Sequence, residues 1–353
     1  MTEGIATPGA GWRRADGWVG KKKDGGGKRR RSGRRAVGEV AMVDDAEFTS
    51  YYGRPIIKPP VWKTPDVPLY LFLGGAAGSS SILAAFADLT DRPTLTRVGR
   101  LVAGGASVAS VGWLIHDLGR PERFLHMLRV LKPTSPLSVG TYILSPFSAA
   151  TGATAAVELL GWFPRLKRFG GAVGALFGGP MATYTAVLLS NTAVPSWHEA
   201  HEQLPFVFGG SAMAAGGGLT MLFTPVDEAG PSRKMAIAGA VIELAAMHKV
   251  ENDHGIVSEP YHEGRAGTLM RAAKTCTAAG AGLTAIAGRT RVGAIASGTL
   301  LAAGSLLTRF GVFEAGLASA RDPKYTVVPQ RERMAAREAA RALGEGEARS
   351  ATR

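Results

Sequence analysis

VPLYLFLGGAAGSSSILAAFA, residues 67–87, decides the architecture. It holds no Asp, Glu, Lys or Arg. A hydrocarbon core about 30 Å thick takes roughly 17–25 mostly apolar residues as a helix, and this stretch is long enough. Similar stretches follow at residues 98–115, 137–162, 169–189, 204–223, 235–247, 267–287 and 292–315, so the sequence predicts eight spans, the one at 235–247 being the shortest. Pro133, Pro136, Pro164, Pro195, Pro225 and Pro231 fall at or between spans, where helices start or stop. Pro68, Pro146, Pro180 and Pro205 lie within spans, which membrane helices tolerate because neighbours re-satisfy the freed carbonyls. The expected fold is an all-α integral membrane protein. Eight transmembrane helices occupy residues 66–317, between a polar basic tail at 1–65 and a polar tail at 318–353.

Composition agrees once the tails are set apart. Hydrophobic residues make up 46% of the 353, and the 47 glycines suit helices whose backbones approach closely. A mean hydropathy of only +0.07 reflects the polar tails diluting an apolar middle. The net charge of +13 points to nucleic acid at first sight, but much of it sits in KKKDGGGKRRRSGRR, Lys21–Arg35, a glycine-broken run that cannot fold alone. That run reads as a disordered tail, as an anchor on anionic lipid, or as residues outside the natural protein, since Met42 opens a second start at MVDDAEFTSYYGRP. No nucleic-acid partner is expected, and no apolar segment follows closely enough for a cleaved signal peptide. The single cysteine, Cys276, rules out an internal disulfide and an iron–sulfur cluster held by this chain alone.

With an even number of spans, both termini share one side. The loops of the other side are short and basic. Those of the terminal side are long and mixed: HDLGRPERFLHMLRVLKPTSP (116–136), NTAVPSWHEAHEQ (191–203) and HKVENDHGIVSEPYHEGR (248–265). All seven histidines lie in or beside them, which marks that side as the functional face. The short loops and the basic tails pull the positive-inside rule in opposite directions, and the tails favour cytoplasmic termini.

At these loops the chain resembles the NrfD/PsrC-type polysulfide reductase membrane subunits. The resemblance rests on YLFLGGAAGSS (Tyr70–Ser80), HDLGRPERF (His116–Phe124), KPTSPLSVGTY (Lys132–Tyr142) and MATYTAVLLSNTAVPSWHEA (Met181–Ala200). The approach YYGRPIIKPPVW (Tyr51–Trp62) is similar to the variant that accompanies formate-dehydrogenase-like complexes in actinobacteria. The resemblance implies two four-helix bundles without haem in a multi-pass cell-membrane protein. It also implies a quinone site, with menaquinone expected, near the face where a ferredoxin-like iron–sulfur subunit docks and passes electrons to or from a molybdopterin catalytic subunit.

Quinone chemistry needs polar groups on the carbonyl oxygens, a proton path and an apolar pocket. Candidate ligands are His116 and its neighbour Asp117, Tyr184, which matches a quinone-contacting tyrosine of the family, and Tyr70 in a first span otherwise poor in titratable groups. A plainer reading has Asp117, Arg120, Glu122 and Arg123 as a charge network fixing the loop, and Tyr184 as a tyrosine bonded to a bundle carbonyl. Glu243, within a span, is a candidate proton relay, with His248 as its nearest partner. Asp88, Glu158 and Glu314 lie close enough to span ends to reach the interface. HEAHE (198–202) puts His198, His201 and Glu202 at metal-like helical spacing. Docking by His198, Glu199 and His201 is the favoured use, and no metal is expected. The chain is expected to be a quinone-interacting, membrane-anchoring electron-transfer subunit. The alternatives are a purely structural anchor or a proton-translocating subunit.

Overall fold

The computed structural model describes residues 55–161 and 163–351, with side chains through residue 341. The basic run at 21–35 and the second start at Met42 lie outside the described residues. Before residue 322 the long helices among the described residues are α1 (Asp66–Leu89), α2 (Pro93–Leu118), α4 (Pro136–Leu160), α5 (Pro164–Ser190), α7 (Leu204–Phe223), α8 (Gly230–Asn252), α9 (Gly264–Ala287) and α10 (Arg291–Arg321). Two short helices, α3 (Glu122–Met127) and α6 (Pro195–Glu199), a 3₁₀ helix (Gly255–Tyr261) and a last helix, α11 (Lys324–Ala351), complete the described elements.

Local chemistry sets the ends. Proline in the first turn opens α2, α4 and α5, where its missing N–H costs no helical bond. Gly119 stops α2 with φ 69°, a left-handed cap that a side chain would resist, and the chain turns there into the loop before α3. Asp66 in the first turn of α1 sits favourably against the helix dipole.

The hydrophobic surface is turned outward. Only 28% of the apolar window of α2, and the same share in α4, is buried, while Phe86, Val108, Leu159, Leu176, Ile286 and Val292 stand exposed. In water such a surface would aggregate, and in a bilayer it faces acyl chains. Length and composition mark α1, α2, α4, α5, α7 and α10 as able to cross a membrane. This is a multi-pass helical membrane protein.

α1 packs on α2, α5 and α7, and α4 packs on α2 and α5. α7 packs on α8 and α10, and α9 lies against α10 and α8. The expectation for 235–247 was too short: α8 runs from Gly230 to Asn252 because its polar ends stay helical beyond the apolar stretch. The polar tail read from 318 is helical over most of its described residues. α10 continues to Arg321, and α11 is fastened by Lys324 Nζ to Glu259 (2.7 Å), the Tyr325 hydroxyl to Glu259 (3.1 Å) and Arg333 to Glu199 (2.8 Å).

Candidate functional site

At the functional face α1 and α4 begin and α2 and α5 end, and the four enclose an apolar cavity of about 160 Å³. A dry apolar cavity of about 150 Å³ already admits a benzene ring. Leu71, Leu114, Leu144 and Leu189 form most of its wall, and Trp62 from the segment before α1 covers one side. Polar residues from all four helices line it: Tyr70 from α1, Asp117 from α2, Thr141 from α4 and Tyr184 from α5. Both tyrosines are buried, and neither hydroxyl has a hydrogen-bond partner among the described residues. Tyr184 is therefore not the carbonyl-bonded tyrosine of the plainer reading. Its ring lies where a Cβ on Gly140 of α4 would be, so the absent side chain makes its seat.

The cavity is held from below by backbone contacts. The hydroxyl of Ser110 donates to the Tyr70 carbonyl (3.1 Å), joining α2 to α1. The Lys63 N–H donates to Asp117 Oδ1 (3.0 Å), which fixes that carboxylate and the chain leading into α1.

His116 is placed elsewhere than expected. On α2 the cavity takes Leu114, Asp117 and Leu118, and His116, about 100° round the helix from Asp117, lies on another face. The His116 ring is 71% exposed and its Nδ1 meets Asp66 Oδ2 at 2.7 Å. Nor does the expected charge network form. Asp117 bonds Lys63, Arg123 donates to the Leu118 carbonyl (3.2 Å), and Arg120 and Glu122 join no ion pair among the described residues.

The second and third loops clasp each other. Tyr261 donates to the Ser196 carbonyl (2.9 Å), Ser196 donates to the Val257 carbonyl (3.0 Å), and His254 meets Gln203 (3.2 Å). Trp197 of α6 is fully buried, donates to the Val312 carbonyl of α10 (2.7 Å), and stacks on Trp62 with ring centres 5.8 Å apart. Above it His198 and His201 are exposed and bond backbone carbonyls of Ser190 and His198. α6 ends at Glu199, so HEAHE lacks the helical spacing that suggested a metal. No group of three potential ligands is placed for a metal ion among the described residues. The Lys324 ammonium holds the Glu259 carboxyl below the usual carboxylate range. The same pair raises Lys324, and burial pushes the Tyr325 phenol up to about 12.

A second polar centre lies among α7–α10. Glu243 accepts from the Thr308 hydroxyl (2.6 Å), and Arg309 donates to the Phe208 carbonyl (2.8 Å) with its guanidinium 3.7 Å from the Phe208 ring centre. Both are buried. Glu243 Oε2 and Arg309 Nε and Nη1 have no partner among the described residues. His248 is exposed and bonds Asn252, so it does not join Glu243. Sequence reading missed Arg309, although a lone arginine inside the span LLTRFGVF (306–313) was signal enough. Nearer the opposite face, Glu158 pairs with Arg100 and Lys167, and Asp88 pairs with Arg100 and Arg168; at the functional face Glu314 meets Arg265 (3.8 Å).

The chain thus joins outward apolar helices, one face of long mixed loops and a ring-sized apolar cavity at that face. Residues 56–234, just over half of the chain, match the family model described as "Polysulphide reductase, NrfD". The chain belongs to this family of membrane subunits of oxidoreductase complexes. A comparison with curated proteins gives no match.

Proposed function

We propose that this chain is the quinone-reactive subunit of an oxidoreductase complex, with the cavity between α1, α2, α4 and α5 as its quinone site. One observation carries the reading. Tyr70, Asp117 and Tyr184 converge on one largely apolar cavity, and both hydroxyls are free to donate. A quinone ring fits that donor set, with apolar walls for the ring and two phenols for its carbonyl oxygens. A bound quinone supplies two-electron, two-proton redox chemistry. Tyr70 and Tyr184 would hold it by donated hydrogen bonds. Asp117, with one oxygen fixed by the Lys63 N–H, keeps the other for a proton, and the leucine wall excludes water.

The remaining architecture is read with it. α8 and α9 have 23 and 24 residues, about 35 Å of helix each, and lie along α7 and α10, so both span the membrane. Eight spans then form two four-helix bundles. The clasped loops with His198, Glu199 and His201 receive a ferredoxin-like iron–sulfur subunit that serves a molybdopterin subunit. The unpartnered atoms of Glu243 and Arg309 favour a second, compatible reading, a proton relay in the other bundle.

The test adds menaquinone and ubiquinone analogues to the purified complex and follows the redox state of its iron–sulfur clusters. Quinol should reduce them or quinone oxidise them, and Tyr184→Phe should abolish the response. An intact complex with no response would leave this chain a structural anchor.

A further inference from the structure

The face opposite the cavity carries a cluster of fixed positive charge. Arg92 lies in the α1–α2 connection, Arg233 in the first turn of α8 and Arg289 in the α9–α10 connection. Backbone carbonyls hold two of them in place: Arg92 donates to Glu228 (3.4 Å), and Arg233 to Val226 (2.8 Å) and Gly288 (3.4 Å). Arg233 lies within electrostatic reach of both Arg92 and Arg289. The Glu228 carboxylate feels Arg92 but forms no ion pair with it, and its Oε2 is already bound by the N–H groups of Thr94 and Leu95 at the start of α2. Arg289 is exposed and makes no hydrogen bond or ion pair among the described residues, and the buried Nε of Arg92 has no acceptor.

Like charges held together by carbonyls, with one carboxylate already engaged, leave an anion site without its anion. The setting decides which anion. At the same helix ends Leu89 is 84% exposed, Ile286 87% and Val292 80%, so an apolar strip runs from the arginines into the bilayer. A free anion would use the arginines alone, whereas a phospholipid uses both.

We infer that Arg92, Arg233 and Arg289 form a site for the phosphate of an anionic phospholipid whose acyl chains lie along Ile286 and Val292. The inference stands apart from the quinone reading, which concerns the other face.

Native mass spectrometry of the full chain, loaded with equal phosphatidylglycerol and phosphatidylcholine, tests it. The wild type should retain phosphatidylglycerol preferentially, and Arg92→Gln/Arg233→Gln/Arg289→Gln should lose that preference. Arg289→Gln alone breaks no contact and should fold, and it should weaken retention about fivefold. Arg97→Gln/Arg165→Gln, on the same face but outside the cluster, should change little. Unchanged retention in Arg289→Gln, an equal loss in the Arg97/Arg165 control, or displacement of the lipid by millimolar inorganic phosphate would each overturn the site.

Discussion

Around α1, α2, α4 and α5, Tyr70, Asp117 and Tyr184 meet at one end beside an apolar cavity, the two tyrosine hydroxyls without a hydrogen bond among the described residues. Among α7 to α10 a carboxyl and a guanidinium sit away from both helix ends, closed in by Phe208, Thr308 and neighbouring helices. Small residues bring the helices together in both groups. What differs is whether polar atoms border a space or are enclosed, and the difference separates groups kept for a ligand from groups that the fold itself must satisfy.

The largest effect should come from the enclosed group. Arg309→Leu removes the donor to the buried Phe208 carbonyl and the cation over the Phe208 ring, a charge-assisted hydrogen bond and a desolvated cation–π contact together worth about 3–5 kcal/mol. Thermal unfolding in detergent should show a clear loss of stability, and an unchanged midpoint would erase the contrast. Tyr70→Phe with Tyr184→Phe should do the reverse. Stability should stay within about 1 kcal/mol because neither hydroxyl is bonded, while quinone-dependent electron exchange falls by about 10²-fold or more. Gly140→Ala sharpens the boundary between the two cases, since its methyl displaces the Tyr184 ring. Overpacking of this kind costs about 1–3 kcal/mol, and quinone response should fall together with stability.

The smallest effect lies outside both groups, at the start of α11. Glu259 has a lowered folded pKa, so its contribution is present above its unfolded value and is lost as pH falls through the folded one. Lys324 has a raised pKa, so its contribution is present below its unfolded value and is lost as pH rises through the folded one. Between about pH 4.5 and 10 both are charged. Both side chains are 35% exposed, and the pair is worth roughly 0.2–1 kcal/mol. Hydrogen-exchange protection of α11, relative to the intrinsic rate at each pH, should be greatest within that window and lower in Glu259→Gln.

Much of this molecule could be read from its sequence, for identifiable reasons. The long helices announce themselves because hydrocarbon excludes charge, so 67–87 and 204–223 hardly allow another reading. α8 was shortened because its ends carry Arg233, Lys234, Lys249 and Glu251, which a search for apolar runs discards although the backbone stays helical. α11 lacked any apolar run and is held by ion pairs to loops distant in sequence. At the cavity, the resemblance singled out Tyr184, the first span offered Tyr70 and the second loop Asp117, but no sequence pattern showed the rotation of α2 that turns Asp117 inward and His116 outward. Arg309 carries its own signal, a charge within an apolar span, but its partner Phe208 lies on α7, and nothing near it in sequence hints at that.

The stacked pair Trp62–Trp197 is a party wall. Trp62 borders the cavity and also stacks on the buried Trp197 of α6, whose very next residues are the exposed His198 and the half-buried Glu199. A ring that shifts Trp62 alters the ground a docking protein stands on. Because such couplings are reciprocal, the docked protein must change the affinity for the ring by the same factor.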